Sequence, residues 1–151
     1  SLNFALQAAL NPPKPGKQER RFGELIFREG DRVMQTRNDY DVVWQKEDGT
    51  AGTGIFNGDV GKIAKIDPSG ELLEIVFDDR TATYTSDMLA ELDMAYAMTV
   101  HRAQGSEYRG VVFVGFGKVG RKNELAGIAR VLTFSTALRV LWKTRRSRRV
   151  F

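Results

Sequence analysis

The chain has no cysteine and one histidine, His101. Without thiols neither a disulfide framework nor a thiolate metal centre can form, and a zinc site would need mostly carboxylates. A reducing compartment, the cytoplasm, is the default that follows. No apolar run approaches the roughly 18–20 residues that cross a bilayer. The opening Ser1-Leu2-Asn3-Phe4 lacks the charged lead and long apolar stretch of a secretory signal. A cytoplasmic protein with no membrane partner is expected. Also missing is G-x-x-x-x-G-K-[ST], the loop whose backbone N–H groups cradle phosphates. Gly52-Thr53-Gly54 has neither the lysine nor the helix such a loop needs. No strand candidate ends in an acidic pair suited to magnesium, and nothing around the serines resembles a nucleophile elbow. These residues alone do not read as a complete catalyst.

Positive charge is scarce outside one stretch. The net charge is +4 over 151 residues. Arg139, Lys143, Arg145, Arg146, Arg148 and Arg149 lie in a closing segment without a single acid. Those cations outnumber the net charge, so the remainder is net negative. A basic-patch argument for nucleic acid therefore rests on the tail, where counterion release alone could give binding.

Turning to what is present, Leu2, Leu6, Ala9 and Leu10 recur at helical spacing and predict a short packing helix, closed by Asn11-Pro12-Pro13. Lys14 to Arg21 reads as a polar linker. From Phe22 to about Leu92 the pattern changes to short strands separated by turn chemistry. Leu25 to Phe27, Val33 to Thr36 and Val42 to Trp44 are strand candidates. Asn57-Gly58 turns the chain into Val60 to Ile66, with an irregularity at Gly61. Asp67-Pro68-Ser69-Gly70 leads to Leu72 to Phe77, and Asp78-Asp79-Arg80 to Thr81 to Thr85. Short strands joined by tight turns describe a small β-barrel, most simply an SH3-like one. Ser86-Asp87 can cap a turn of helix over Met88 to Leu92. Met94 to Gly105 and the β-branched run Val111 to Val114 return the chain to an α/β environment. Gly115 to Asn123 reads as a loop, and Glu124 to Phe151 as weakly helical with a basic end.

The chemistry concentrates in Thr99-Val100-His101-Arg102-Ala103-Gln104-Gly105-Ser106-Glu107-Tyr108. Threonine, histidine and glutamine offer neutral hydrogen bonds suited to phosphate or sugar oxygens, and Arg102 adds charge. Gly105 permits close backbone approach, and Glu107 could accept from a ribose hydroxyl. Spacing alone favours a plain polar loop with one satisfied histidine over this ligand site.

The stretch from Ala95 to Tyr108 resembles motif V of RecD-like DNA helicases, in the 5′→3′ branch of superfamily 1. Upstream, Phe27-Arg28-Glu29-Gly30-Asp31-Arg32-Val33-Met34-Gln35-Thr36-Arg37-Asn38-Asp39-Tyr40 and Phe56-Asn57-Gly58-Asp59-Val60-Gly61 resemble that family's lead into its SH3-like insertion. Leu2-Asn3, Leu6-Gln7 and Leu10-Asn11-Pro12 are similar to what precedes it. The three matches keep the family's order and spacing from residue 1 to about 116.

The resemblance implies an α/β plus β chain, a partial RecA-like α/β helicase domain with an inserted small SH3-like β-barrel. Residues 1–21 would be a helix and linker of the RecA-like domain, 22–92 the barrel, and 93–151 the rest of the RecA-like domain with motif V and a divergent basic tail. It implies the C-terminal part of an ATP-dependent helicase moving 5′→3′ on single-stranded DNA. ATP and Mg2+ would serve the intact protein, with none bound by this piece, which would be inactive alone. Partners would be single-stranded DNA, the N-terminal helicase domains, and other recombination or repair subunits. By motif matching, Thr99, His101 and Gln104 would face DNA with Arg102 near its backbone. Gly105 and Glu107 would lie on the nucleotide side, and Arg37 and Asn38 along the DNA path where the chain leads into the barrel. An ungapped reading of motif VI puts Arg139 at the arginine finger, with Leu138 where the family has threonine. Two other readings stay open: a stand-alone SH3-like protein-binding module, favoured if Tyr40, Trp44 and Phe56 cluster on one face, and the helicase part of a conjugative relaxase.

Overall fold

A computed structural model of the chain describes residues 2–99, 102, 111–114 and 130–133. His101, Gln104, Gly105, Glu107 and Arg139 lie outside the described residues, as do the loop expected at 115–123 and the basic tail. The described residues are mostly β-sheet, consistent with an SH3-like β domain, and no described helix is long and apolar enough to cross a membrane.

Helix α1 spans Leu2–Leu10. The Asn11 N–H still donates to the Gln7 carbonyl at 2.8 Å before the two prolines end the helix. The helix forms as its sequence predicts, but it does not bury its leucines. Gln7 is its buried residue, while Phe4 is 40% and Leu10 53% exposed. Leu6 packs against the main core. The face turned inward carries Asn3, Gln7 and, one residue past the helix, Asn11, spaced i, i+4, i+8 along one side.

Strands β1 (Glu19–Phe22) and β2 (Leu25–Arg28) form an antiparallel hairpin, so part of the stretch that reads as linker is strand. Six further strands follow: β3 (Arg32–Gln35), β4 (Asp39–Gln45), β5 (Ala51–Ile55), β6 (Val60–Ile66), β7 (Leu72–Phe77) and β8 (Arg80–Thr85). A 3-10 turn, Ser86–Glu91, leads to β9 (Leu92–Met94). Strands β3 to β9 make one seven-stranded sheet in the order β5-β4-β8-β7-β6-β3-β9, every neighbouring pair antiparallel. Alternation explains which faces are covered. Leu73, Ile75 and Phe77 are buried between exposed Leu72 and Glu74 on β7, and Ala82 and Tyr84 are buried between exposed Thr81 and Thr83 on β8. At the β6–β7 turn the Asp67 carboxylate accepts from the Leu72 N–H at 2.9 Å and from the Ser69 hydroxyl, and these bonds hold it below the usual carboxylate range.

Two glycine contacts are decided by packing. Strand β5 has little intrinsic strand preference, yet it forms because Trp44 on the neighbouring strand lies across Gly52, where a Cβ would come within 2.4 Å of the ring. Gly61 does not mark the irregularity in β6. The register slips between Ile63 and Lys65 instead. Gly61 is buried because an added Cβ would sit 2.8 Å from both Ile75 and Phe77.

Beyond β9 the chain crosses to a second sheet in two residues, Ala95 and Tyr96. Strand β10 (Ala97–Thr99) joins β11 (Val111–Val114) and β12 (Arg130–Thr133) in the order β10-β12-β11. Strand β12 is antiparallel to both neighbours, which leaves β10 and β11 parallel to each other. Residues 130–133 read as weakly helical in sequence; pairing on both edges makes them strand.

One carboxylate ties these parts together. Asp31, at 0% exposure, closes the turn from β2 to β3, with its N–H on the Arg28 carbonyl at 2.9 Å. Its Oδ1 accepts from Asn11 Nδ2 (2.7 Å) and the Tyr96 hydroxyl (2.7 Å). Its Oδ2 accepts from Gln7 Nε2 (2.6 Å) and the Arg28 N–H (2.8 Å). Four donors fill the carboxylate's lone-pair sites, which is what a buried acid needs. The Arg28 guanidinium goes elsewhere, pairing with Glu19 and donating to the Asn11 carbonyl.

Two outcomes test this packing. Gly61→Ala should destabilise the chain by about 1–3 kcal/mol through overpacking, read as a lower urea midpoint with unchanged slope. Burial, chiefly, holds the Tyr84 and Tyr96 hydroxyls above the ordinary phenol range, with nearby carboxylates adding to it. An unfolded tyrosine ionises near pH ~10 while these stay protonated, so unfolding above about pH 10 releases protons. Stability should be complete below about pH 10 and fall as pH rises further. Tyr84→Phe should flatten that fall, measured as the urea midpoint against pH.

Candidate nucleic-acid interface

Arg37 and Asn38 stand in the short link between β3 and β4, both exposed. Their position is set from below by Gln35, at 0% exposure. Its Oε1 accepts from the Tyr84 hydroxyl at 3.0 Å, and its Nε2 donates to Glu91 at 2.8 Å. The next residue, Thr36, donates its N–H (2.7 Å) and its hydroxyl (2.8 Å) to the Glu91 carbonyl. The Gln35 main chain holds the turn after β5, donating to the Asp59 carbonyl at 2.9 Å and accepting from the Gly58 N–H at 2.8 Å. Asn38 completes the tie by accepting from the Asn57 N–H at 3.0 Å.

That turn brings two aromatic rings together on the surface. Tyr40 (65% exposed) and Phe56 (40% exposed) meet edge to face, with centroids 5.5 Å apart and planes at 68°. Phe56 is braced by Gly54, where a Cβ would come within 2.8 Å of the ring, and by its own N–H on Asp59 Oδ2 at 3.0 Å. Asp59 in turn pairs with Arg80 at 3.3 Å. An exposed aromatic pair with a free-standing arginine and an amide beside it offers a π surface and a charge for stacked bases and their phosphates. Trp44 is engaged separately. Its ring covers Gly52, with Lys46 Nζ at 5.9 Å and the Arg80 guanidinium at 5.8 Å from its centroid.

The described part of the 99–108 stretch is Thr99 and Arg102. Thr99 is half-buried, and its hydroxyl accepts from the Arg102 N–H at 3.3 Å. The Arg102 guanidinium reaches back to Asp93 at 3.0 Å, with the two side chains 46% and 42% exposed. Such a pair is worth no more than about 1 kcal/mol, so a phosphate can take Arg102 from it. Asp93 lies opposite Met34 in the β3–β9 register. The structure therefore brings Arg102 to the strand beside the one that ends at Arg37 and Asn38. The sequence reading passed over Asp93, and no local spacing identifies it, because its role depends on a partner nine positions away. The Tyr40–Phe56 pair was detectable only as two aromatics in a strand-rich stretch.

Charge separates this region from another surface. A shallow depression of about 640 Å³ on the outer side of β4, β8 and β7 is lined by Asp39, Asp41 and Glu74 together with Val43, Thr81 and Thr83, and no lysine or arginine lines it among the described residues. Three carboxylates without a cation repel a polyanion. Among the described residues no group of three or more His, Asp or Glu could hold a metal ion.

Comparison with known proteins bears on both regions. Residues 2–77 match the ATP-dependent RecD-like DNA helicase SH3 domain, and residues 94–125 match the UvrD-like helicase C-terminal domain. The chain is also similar to the ATP-dependent RecD2 DNA helicase of Deinococcus radiodurans, 40% identical over 113 residues. That alignment covers 75% of this chain and 14% of the relative, so the chain spans a small part of that protein's length.

Proposed function

Because the chain belongs to the RecD-like DNA helicase family, we propose that it supplies part of the DNA-gripping surface of an ATP-dependent helicase moving 5′→3′ on single-stranded DNA. The observation that carries this reading is the exposed Tyr40–Phe56 pair flanked by Arg37 and Asn38. Stacking on such rings tolerates any base, which suits a translocating enzyme. Thr99, His101, Arg102 and Gln104 form the second contact with the strand, and Gly105 and Glu107 the nucleotide side of the same loop. The β10-β12-β11 sheet is then part of the second RecA-like domain, with 1–21 and 93–151 on either side of a barrel at 22–92. In the intact cytoplasmic protein, ATP and Mg2+ would be held mainly by the N-terminal helicase domains, with Arg139 in the arginine-finger position. Recombination or repair subunits are the further partners of such a protein.

A second reading, a module that docks a protein segment, is favoured by the acid-lined depression beside Val43. Fluorescence anisotropy with single-stranded DNA across a salt series separates the two. Tyr40→Ala should weaken binding by roughly 1–3 kcal/mol, the usual worth of one stacked base. His101→Ala with Gln104→Ala should weaken it further, and a chain ending at Lys122 should keep both effects. Binding that disappears with the basic tail and ignores these residues would leave only nonspecific charge, and the docking reading would stand. The pure chain should also show no DNA-independent ATPase, since it has no phosphate loop; measurable turnover would contradict the assignment of ATP binding to the missing domains.

A further inference from the structure

We propose that the amide stripe of α1, together with Asp31 and Tyr96, is a rigid joint that makes the barrel's aromatic pair and the loop after Thr99 act as one bivalent grip on a strand. The inference rests on the DNA-binding reading above and concerns how its two contacts are coupled.

The crossing between the two sheets is only Ala95 and Tyr96, both buried, and a link that short could still swivel about its backbone torsions. Here it is held from both sides by residues far away in the chain. Asn3 Nδ2 donates to the Met94 carbonyl (3.2 Å) at the end of one sheet and to the Ala97 carbonyl (3.0 Å) at the start of the other. Asn3 Oδ1 accepts from the Ala97 N–H at 2.7 Å. Within the crossing, the Ala95 N–H donates to the Arg32 carbonyl at 2.8 Å and the Tyr96 hydroxyl to Asp31 at 2.7 Å. Gln7 and Asn11 continue the stripe, each bonding Asp31 and a carbonyl of the β2 edge or the turn after it, Ile26 at 2.7 Å and Glu29 at 3.1 Å.

The chemistry argues for geometry over stability. A buried carboxylate met only by neutral donors loses its hydration without an opposing charge, and apolar residues of the same volume commonly do as well or better for stability. What a fully satisfied polar network adds is a single allowed arrangement. Fixing two weak contacts at one separation raises the effective concentration of the second once the first is made, with no new contact required. Loosening the joint should therefore cost affinity only where one strand can reach both contacts.

The test uses the 151-residue chain with fluorescent oligothymidylates of ~5 and ~15 nucleotides, spanning one contact or both, at about 0.2 M salt to suppress nonspecific phosphate binding. Asn3→Ala removes the clamp across the crossing. Tyr96→Phe removes one donor from Asp31 and keeps the ring, so at least one variant should retain the fold by circular dichroism. The expected result is a loss of about tenfold on the long strand for Asn3→Ala, a smaller loss for Tyr96→Phe, and short-strand affinity within about twofold of the parent. In a Tyr40→Ala background the joint substitutions should have no further effect, because one of the two contacts is gone. Equal losses on both lengths, or unchanged long-strand binding, would overturn the joint while leaving the DNA reading intact. No Tyr40-dependent binding by the parent at either length would overturn the DNA reading and the joint with it.

Discussion

Much of this structure depends on one buried carboxylate having all of its lone pairs met. Asp31 receives the helix through Gln7 and Asn11, its own turn through Arg28, and the far side of the sheet through Tyr96. A carboxylate in that position is costly unless every acceptor site is filled, so the groups that fill it are held together or the site fails as a whole. This constraint explains why α1 turns its amides inward and leaves Leu10 and Phe4 in solvent. Apolar contact through Leu6 helps, but the hydrogen bonds choose the face.

Gln35 plays a parallel part at the other end of β3. Its side chain bridges Tyr84 and Glu91 inside the sheet, and its main chain holds the turn at Asn57–Asp59. Two buried polar residues, four positions apart in sequence, thus anchor opposite ends of one short strand. One end presents Arg37, Asn38 and the Tyr40–Phe56 pair; the other leads through Tyr96 toward Thr99 and Arg102. Membership of the RecD-like helicase family gives that arrangement a functional setting, and the acid-lined depression on the β4, β8 and β7 side confines a polyanion to the remaining surface.

Legibility differed sharply between elements. Strands β6, β7 and β8 are recoverable from sequence, because period-two alternation and turn dipeptides such as Asn57-Gly58 are local signals. Strand β5 was not, since Ala51-Gly52-Thr53-Gly54-Ile55 looks like loop until Trp44 and Phe56 lie across its glycines. Residues 130–133 carry apolar spacing that suits a weak helix, and pairing with β10 and β11 overrode it. On α1 the leucine period and the amide period are both present in the same nine residues. Counting apolar positions selected the wrong one, because a buried amide stripe is rarer than a leucine stripe and needs an unseen acceptor.

By itself, the sequence determined the family resemblance, the strand-rich middle with its tight turns, the absence of a phosphate loop and the concentration of positive charge in the tail. All of these are properties of neighbouring residues or of composition. Only the tertiary structure decided that Asp31 is the common acceptor, that Tyr40 and Phe56 meet, that Asp93 holds Arg102, and that Asn3 spans the crossing at Met94 and Ala97. Most of these facts join residues far apart along the chain, and all of them come into being when distant backbone segments are brought within hydrogen-bond or ring contact, a condition that no window of local sequence contains.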